Sequence, residues 1–254
     1  MREHWGSRVG FIFAAAGSAV GLGNIWKFPH MAGQNGGAAF TLIYLICILL
    51  VGVPIVIAEF AIGRKTQLSP VGAFKKLAPD SWWKNVGYLG VASAFVILSF
   101  YSVVGGWTLR YTFVAISGGF EAMAGNPVLA KELFGDFVSS TWNPLFWHLI
   151  FIGLCIWIIV NGVKYGIERW SKIMMPAIII ILIMLVIRGL TLKNGMLGLE
   201  FLFKPKFSDL TANSVVLALG HSFFTLSLGM GTMITYGSYL KKDQNLLSSA
   251  FWVI

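Results

Sequence analysis

Four polar residues of this 254-residue chain lie in apolar surroundings where such groups are costly: Asn24, Lys27, Glu59 and His221. Asn24 and Lys27 belong to the stretch SAVGLGNIWKFP at residues 18–29, which also holds Gly21 and Gly23 inside an otherwise apolar run. A second stretch of similar design, GHSFFTLSLGMGTMITYGSY from Gly220, places His221 and Thr225 ahead of Gly229 and Gly231, with Met230 between the glycines. Glycine in a helix interior is worse than alanine by about 1 kcal/mol. In hydrocarbon, a break also frees N–H and C=O groups that cost several kcal/mol each if unpaired. Such a break persists only where a cavity, an ion or a ligand takes up those groups. Unwound carbonyls suit a cation, and the positive N-terminal end of the following half-helix suits a carboxylate.

A simpler reading is packing. Gly17 and Gly21 form a G-x-x-x-G pair, a close-contact motif between membrane helices, and for such a pair alone packing is favoured. Packing leaves unexplained the mid-depth amide of Asn24, the charge of Lys27 one turn on, and the second interrupted run. The dinucleotide pattern G-x-G-x-x-G is absent. No nucleophile–base pair, metal cluster or phosphate loop stands out, so an enzyme is not expected. Cys47 and Cys155 lie in apolar runs and read as small hydrophobes rather than as a disulfide or a metal pair.

The elements that must position these residues are membrane helices. The chain is 57% hydrophobic and 11% charged, with a mean hydropathy of +0.77; a soluble domain carries about 25% charged residues. The formal charge of +9 does not mark a nucleic-acid binder, because the basic residues are spread over the short loops between apolar runs. The apolar segments are expected at 9–34, 38–63, 87–118, 143–162, 170–190 and 213–240, with a seventh beginning at 246–254. A spanning helix needs about 20 residues, so the first six cross and the last does not. With the N-terminus on the cytoplasmic side, 12 of the 19 basic residues fall in inner regions, in accord with the positive-inside rule. The outer loop at 119–142 has room for a short helix of its own. The expected whole is one multi-pass transmembrane domain over 1–254 in the cytoplasmic membrane.

Four motifs, in order, then carry a family resemblance: REHWGSRVGFIFAAAGSAVGLGNIWKFP from Arg2, NGGAAF from Asn35, YGIERWSKIMMP from Tyr165 and FFTLSLGMG from Phe223. Together they resemble the neurotransmitter:sodium symporters, and most closely the bacterial amino-acid members. The resemblance covers the front half of that architecture. It implies an all-α polytopic bundle of inverted-repeat type, with helices 1 and 6 broken and the chain ending in helix 7. It also implies sodium-coupled symport of a hydrophobic or aromatic amino acid by alternating access around the broken helices. The second hypothesis, from a different class, is a half-length membrane module that does not transport but packs with or regulates a full-length relative.

The resemblance implies site residues. One sodium ion would meet the carbonyls of Ala19 and Thr225, the side chains of Asn24 and Thr225, and the substrate carboxylate. A second would use carbonyls at Gly17 and Val20, together with groups from a helix 8 outside this chain. The substrate carboxylate would face the N–H groups of Leu22 and Gly23 and the hydroxyl of Tyr101. Its amine would face carbonyls at Ala19, Phe224, Thr225 and Ser227. The side-chain pocket would comprise Ile97, Tyr101, Phe224, Ser227 and Met230, and the adaptable thioether of Met230 suits bulky or aromatic cargo.

Further positions depart from the family pattern or add to it. Lys27 stands where an outer-gate arginine is usual, keeping the charge but losing the bidentate fork. His221 stands where glutamine is usual, beside Tyr44 and Thr225. In chloride-dependent relatives an anion binds there, but a hydrogen-bonded structural histidine is the favoured reading. Arg2 and Trp5 resemble an inner gate, with Glu168, Tyr236 and Tyr239 as network partners, and Phe224 would close separately over the cargo. Glu59 is expected to pair with an inner basic residue or to stay neutral, with no transport role.

Overall fold

The computed structural model describes residues 3–121, 126–241 and 244–254. In chain order its helices are α1 (Arg8–Ala19), α2 (Gly23–Gln34), α3 (Ala38–Thr66), α4 (Pro70–Leu77), α5 (Trp82–Ile116) and α6 (Pro127–Ser139). There follow α7 (Trp142–Val160), α8 (Val163–Leu190), α9 (Gly195–Phe203), α10 (Ala212–Thr225), α11 (Thr232–Gly237) and α12 (Leu246–Val253). Among the described residues there is no strand. The all-helical architecture with two broken spans matches the expectation.

Side chains at the helix starts explain several boundaries. Ser7 accepts from Gly10 N–H ahead of α1, and Ser69 from Gly72 N–H ahead of α4, where Pro70 occupies the first turn. Asn126 caps α6, Thr211 and Ser214 form a reciprocal capping box at α10, and Asn245 caps α12. Each satisfies amides that the helix itself leaves unpaired.

The helices α3, α5, α7 and α8 are each long and apolar enough to cross a membrane, and α1 with α2, bent by 48°, is long and apolar enough as a pair. The expected sixth span, 213–240, is α10 and α11 separated by residues 226–231. Its break is built from left-handed backbone at Ser227 (φ 53°), Gly229 (φ 77°) and Gly231 (φ 76°). α8 begins at Val163 rather than at the expected 170, because a π-helical turn, Val163–Glu168, runs directly into the apolar helix. The short helix expected in the 119–142 loop is α6.

By its internal packing the chain divides into two compact units: Met1–Val91 with Val163–Ile254, and Ala92–Gly162. In the first, Phe11, Val56, Phe60, Met233 and Leu240 form a fully buried core. There α3 and α11 touch backbone to backbone. A Cβ at Gly63 would collide with the Ile234 carbonyl, and one at Gly237 would lie 2.8 Å from the Phe60 carbonyl. Small residues that let backbones meet are the main packing device where lipid removes the hydrophobic drive between helices. In the second unit, α5 and α7 meet the same way, with Gly105 against the Phe151 ring and Gly106 against the His148 backbone. The Arg110 guanidinium lies 4.5 Å above the Phe137 ring.

Candidate functional site

The two breaks lie against each other in the first unit. α1 ends at Val20, whose backbone leaves helical geometry at φ −87°, ψ 98°, and the chain re-enters a helix through a π-helical turn at Gly23–Lys27. Gly23 is needed there: a Cβ would stand 2.9 Å from the Phe224 ring on α10. The glycine thus allows the start of α2 to reach the end of α10, in addition to loosening the helix.

A continuous hydrogen-bond chain crosses the junction. Tyr44 donates its hydroxyl to Thr225 Oγ1 at 3.0 Å, Thr225 donates to Asn24 Oδ1 at 2.9 Å, and Asn24 Nδ2 donates to the Ala19 carbonyl at 2.9 Å. Ala19, Asn24, Thr225 and Tyr44, singled out in the sequence, are therefore one network. Its acceptors are a carbonyl, an amide oxygen and a hydroxyl, the neutral oxygen donors that suit a hard cation. Among the described residues no group of three or more His, Cys, Asp or Glu residues could hold a metal ion, so a cation here would rely on these neutral oxygens.

Two further links hold the second break, one to the first break and one to α3, and sequence reasoning missed both. Ser227 donates to the Ser18 carbonyl at 3.1 Å, and the two hydroxyls lie 3.0 Å apart. Glu59, on α3, accepts the Gly229 N–H at 2.8 Å and is only 7% exposed. Of the two alternatives expected for Glu59, a basic partner or a neutral carboxyl, no ion pair is found among the described residues, and the group takes up a backbone amide in the second break, as a neutral carboxyl also can. The signal for it was present, as a carboxylate inside an apolar run, but its partner lies 170 residues away. Ser18 offered no signal beyond its place beside Ala19.

The remaining candidates fall into three groups. Phe224 packs over Gly23, with Lys27 Nζ 5.9 Å from its ring centroid. His221 is stacked near both Phe28 and Phe224 and lies 5.5 Å from the Tyr44 ring, centroid to centroid. Its buried Nε2 has no hydrogen-bond partner among the described residues. Gly17 faces the Met175 sulfur, and Leu22 and Val20 flank the first break, while Met230 is half-buried in the second. Ile97 and Tyr101 sit four residues apart on one face of α5, within the second unit.

Toward the N-terminus, Trp5 donates its indole N–H to the Tyr236 carbonyl at 3.1 Å and its backbone N–H to the Tyr239 carbonyl at 3.3 Å. Its ring meets both tyrosines edge-on. Arg2 lies outside the described residues. Glu168 accepts from Gly6 N–H at 2.6 Å, from the Ser7 hydroxyl at 2.9 Å and from Lys172 at 2.6 Å, joining the N-terminal segment to α8.

Comparison with known proteins adds to this geometry. The model of the Sodium:neurotransmitter symporter family matches residues 2–123 and 138–254. The uncharacterized sodium-dependent transporter YhdH of Bacillus subtilis is 46% identical over 98% of this chain and 55% of its own length. The neutral amino acid transporter B(0)AT2 of Bos taurus, also sodium-dependent, is 28% identical over 96% of this chain and 37% of its own. The crystal structure of MhsT in complex with L-phenylalanine superposes with a TM-score of 0.90 at 50% identity, covering 100% of this chain and 57% of that one. The chain thus spans about half the length of YhdH and of MhsT.

Proposed function

The chain belongs to the sodium:neurotransmitter symporter family, and on that premise we propose that it takes part in sodium-coupled symport of a hydrophobic or aromatic amino acid across the cytoplasmic membrane, its N-terminus inside. The observation that carries this reading is the Tyr44–Thr225–Asn24–Ala19 chain, which gathers oxygens from both breaks. A sodium ion, as cargo, would replace the hydrogen bonds that these oxygens now make with one another. A substrate carboxylate completing its shell, beside the N–H groups of Leu22 and Gly23, would make each cargo stabilise the other, and linkage makes that effect reciprocal. The amine would meet carbonyls of Ala19, Phe224, Thr225 and Ser227. A second sodium would use the carbonyls of Gly17 and Val20.

Cargo class is read from the second break: Phe224 is apolar, Met230 is apolar and adaptable, and MhsT, at 50% identity, was crystallised with L-phenylalanine. Phe224 would occlude the cargo, with Lys27 at the outer gate and Trp5, Tyr239 and Arg2 at the inner one. The test is uptake of labelled L-phenylalanine into cells expressing the protein, in sodium against potassium medium. Uptake several-fold higher in sodium is expected, and equal uptake sinks the coupling.

The unpaired Nε2 of His221 supports a second reading at the same junction: a chloride ion beside Tyr44, His221 and Thr225. A neutral imidazole in the tautomer with its proton on Nε2 would have that one N–H to offer an anion, and Nε2 is buried with no hydrogen-bond partner among the described residues. Replacing chloride by gluconate in the uptake medium is expected to lower transport; no change removes the anion from the account.

A further inference from the structure

Where α8 begins, Lys164, Tyr165, Glu168, Arg169, Lys172 and Ile173 line a cavity of about 450 Å³. Glu168 is the one carboxylate in that lining, and it is already engaged. Gly6, Ser7 and Lys172 all donate to it, and its side chain is 3% exposed. Lys172 offsets the charge of Glu168, which leaves Lys164 and Arg169, both exposed, as the surplus positive charge of the cavity. The other acidic group at this helix start, Glu3, accepts the Val163 N–H at 2.8 Å. The cavity therefore does not depend on a bare helix N-terminus.

The order of residues along α8 says what kind of anion fits. The cations and the exposed Tyr165 come first, and the helix then turns apolar. Ile173 and Met174 are exposed by 55% and 57%, and Ile179, Ile180 and Ile181 continue the bare apolar surface. A soluble anion would need the charges alone. A phospholipid needs cations at headgroup depth, an aromatic ring at the interface and an apolar track directly beyond, which is the sequence found here. We propose that this cavity binds the phosphodiester of an anionic phospholipid, with Lys164 and Arg169 on the phosphate oxygens and an acyl chain along Ile173 and Met174. The proposal rests on membrane insertion and not on sodium coupling or on the identity of the cargo.

The test is native mass spectrometry of the purified chain in detergent, offered equal amounts of phosphatidylglycerol and phosphatidylcholine. Preferential retention of phosphatidylglycerol is expected. It should fall roughly 25-fold in the double variant Lys164→Gln/Arg169→Gln, from about five-fold per cation. The preference should survive Lys204→Gln/Lys206→Gln, where Lys204 already pairs with Glu200 at 2.9 Å on the surface. The unaltered chain supplies an arm that needs no variant: its preference should erode between roughly 0.05 M and 0.5 M salt as charges are screened. Equal retention of the two lipids, a preference indifferent to salt, or a double variant with the original preference overturns the proposal. So does displacement of the lipid by millimolar inorganic phosphate, which would make the ligand a soluble anion.

Discussion

The Thr225 hydroxyl donates to Asn24 Oδ1 at 2.9 Å, although the two residues are 201 positions apart in the chain. Because Thr225 also accepts from Tyr44 at 3.0 Å, its single proton is directed at Asn24, and the amide of Asn24 is in turn directed at Ala19. One residue in each break is thereby oriented by the other. The arrangement joins a local property, the weakness of glycine in a helix, to a site that neither break could form alone.

Asn24→Ala removes both ends of this link and one proposed oxygen for sodium. Losing a buried hydrogen-bonded group costs about 1–3 kcal/mol, so the sodium concentration for half-maximal uptake should rise about ten-fold or more. Apparent affinity for the amino acid should fall with it if the two cargoes share the proposed site. Uptake measured as a function of both concentrations checks this; a change in one without the other removes Asn24 from the shared site.

Gly63→Ala should destabilise the first unit, whereas Gly33→Ala should not. A Cβ at Gly63 strikes the Ile234 carbonyl, which is backbone and cannot swing aside, while one at Gly33 meets nothing within 4 Å. Overpacking costs about 1–3 kcal/mol, and an alanine in an open helical position gains up to about 1 kcal/mol over glycine. Thermal unfolding in detergent should show a lowered Tm for the first variant only. Equal Tm values would mean that α3 and α11 are not in backbone contact.

Much of this was legible in the sequence because its causes are local. Runs of apolar residues fixed the spans to within a few positions, and Gly21, Gly23, Gly229 and Gly231 marked both breaks. The π-helical turn that starts α8 at Val163 was not legible, since its composition differs little from a loop and its first amide is held by Glu3 from the far end of the chain. Ser18 and Glu59 were unreadable as parts of the junction for a related reason. Their partners, Ser227 and Gly229, are neighbours only once α10 and α11 have separated. Asn24 was readable because a mid-depth amide demands a partner wherever it folds.

Glu168→Ala should release the N-terminal segment from α8. The carboxylate takes donors from Gly6, Ser7 and Lys172 at once, and Gly10 has no side chain because a Cβ there would land on it. Lys172 is 40% exposed and can turn to water, so the loss is that of the acceptor for the Gly6 amide and the Ser7 hydroxyl, at about 1–3 kcal/mol. Limited trypsin digestion should then cut after Arg8 many times faster than in the unaltered chain, with the remaining helices protected. An unchanged cleavage rate would show that Trp5, through Tyr236 and Tyr239, is sufficient to hold the segment.

Ser227 separates a conformational effect from a chemical one. Its backbone lies at φ 53°, where a side chain is disfavoured, yet its hydroxyl bonds to the Ser18 carbonyl across the junction. Ser227→Ala keeps the strain and loses the bond, at about 1 kcal/mol. Ser227→Gly loses the same bond but relieves a left-handed position worth about 1 kcal/mol. Glycine, the smaller residue, should therefore give the more stable protein, with a Tm near that of the parent, while alanine falls below both. If alanine is instead the better replacement, the left-handed geometry at Ser227 does not contribute to the break, and Gly229 and Gly231 carry the turn between α10 and α11 by themselves.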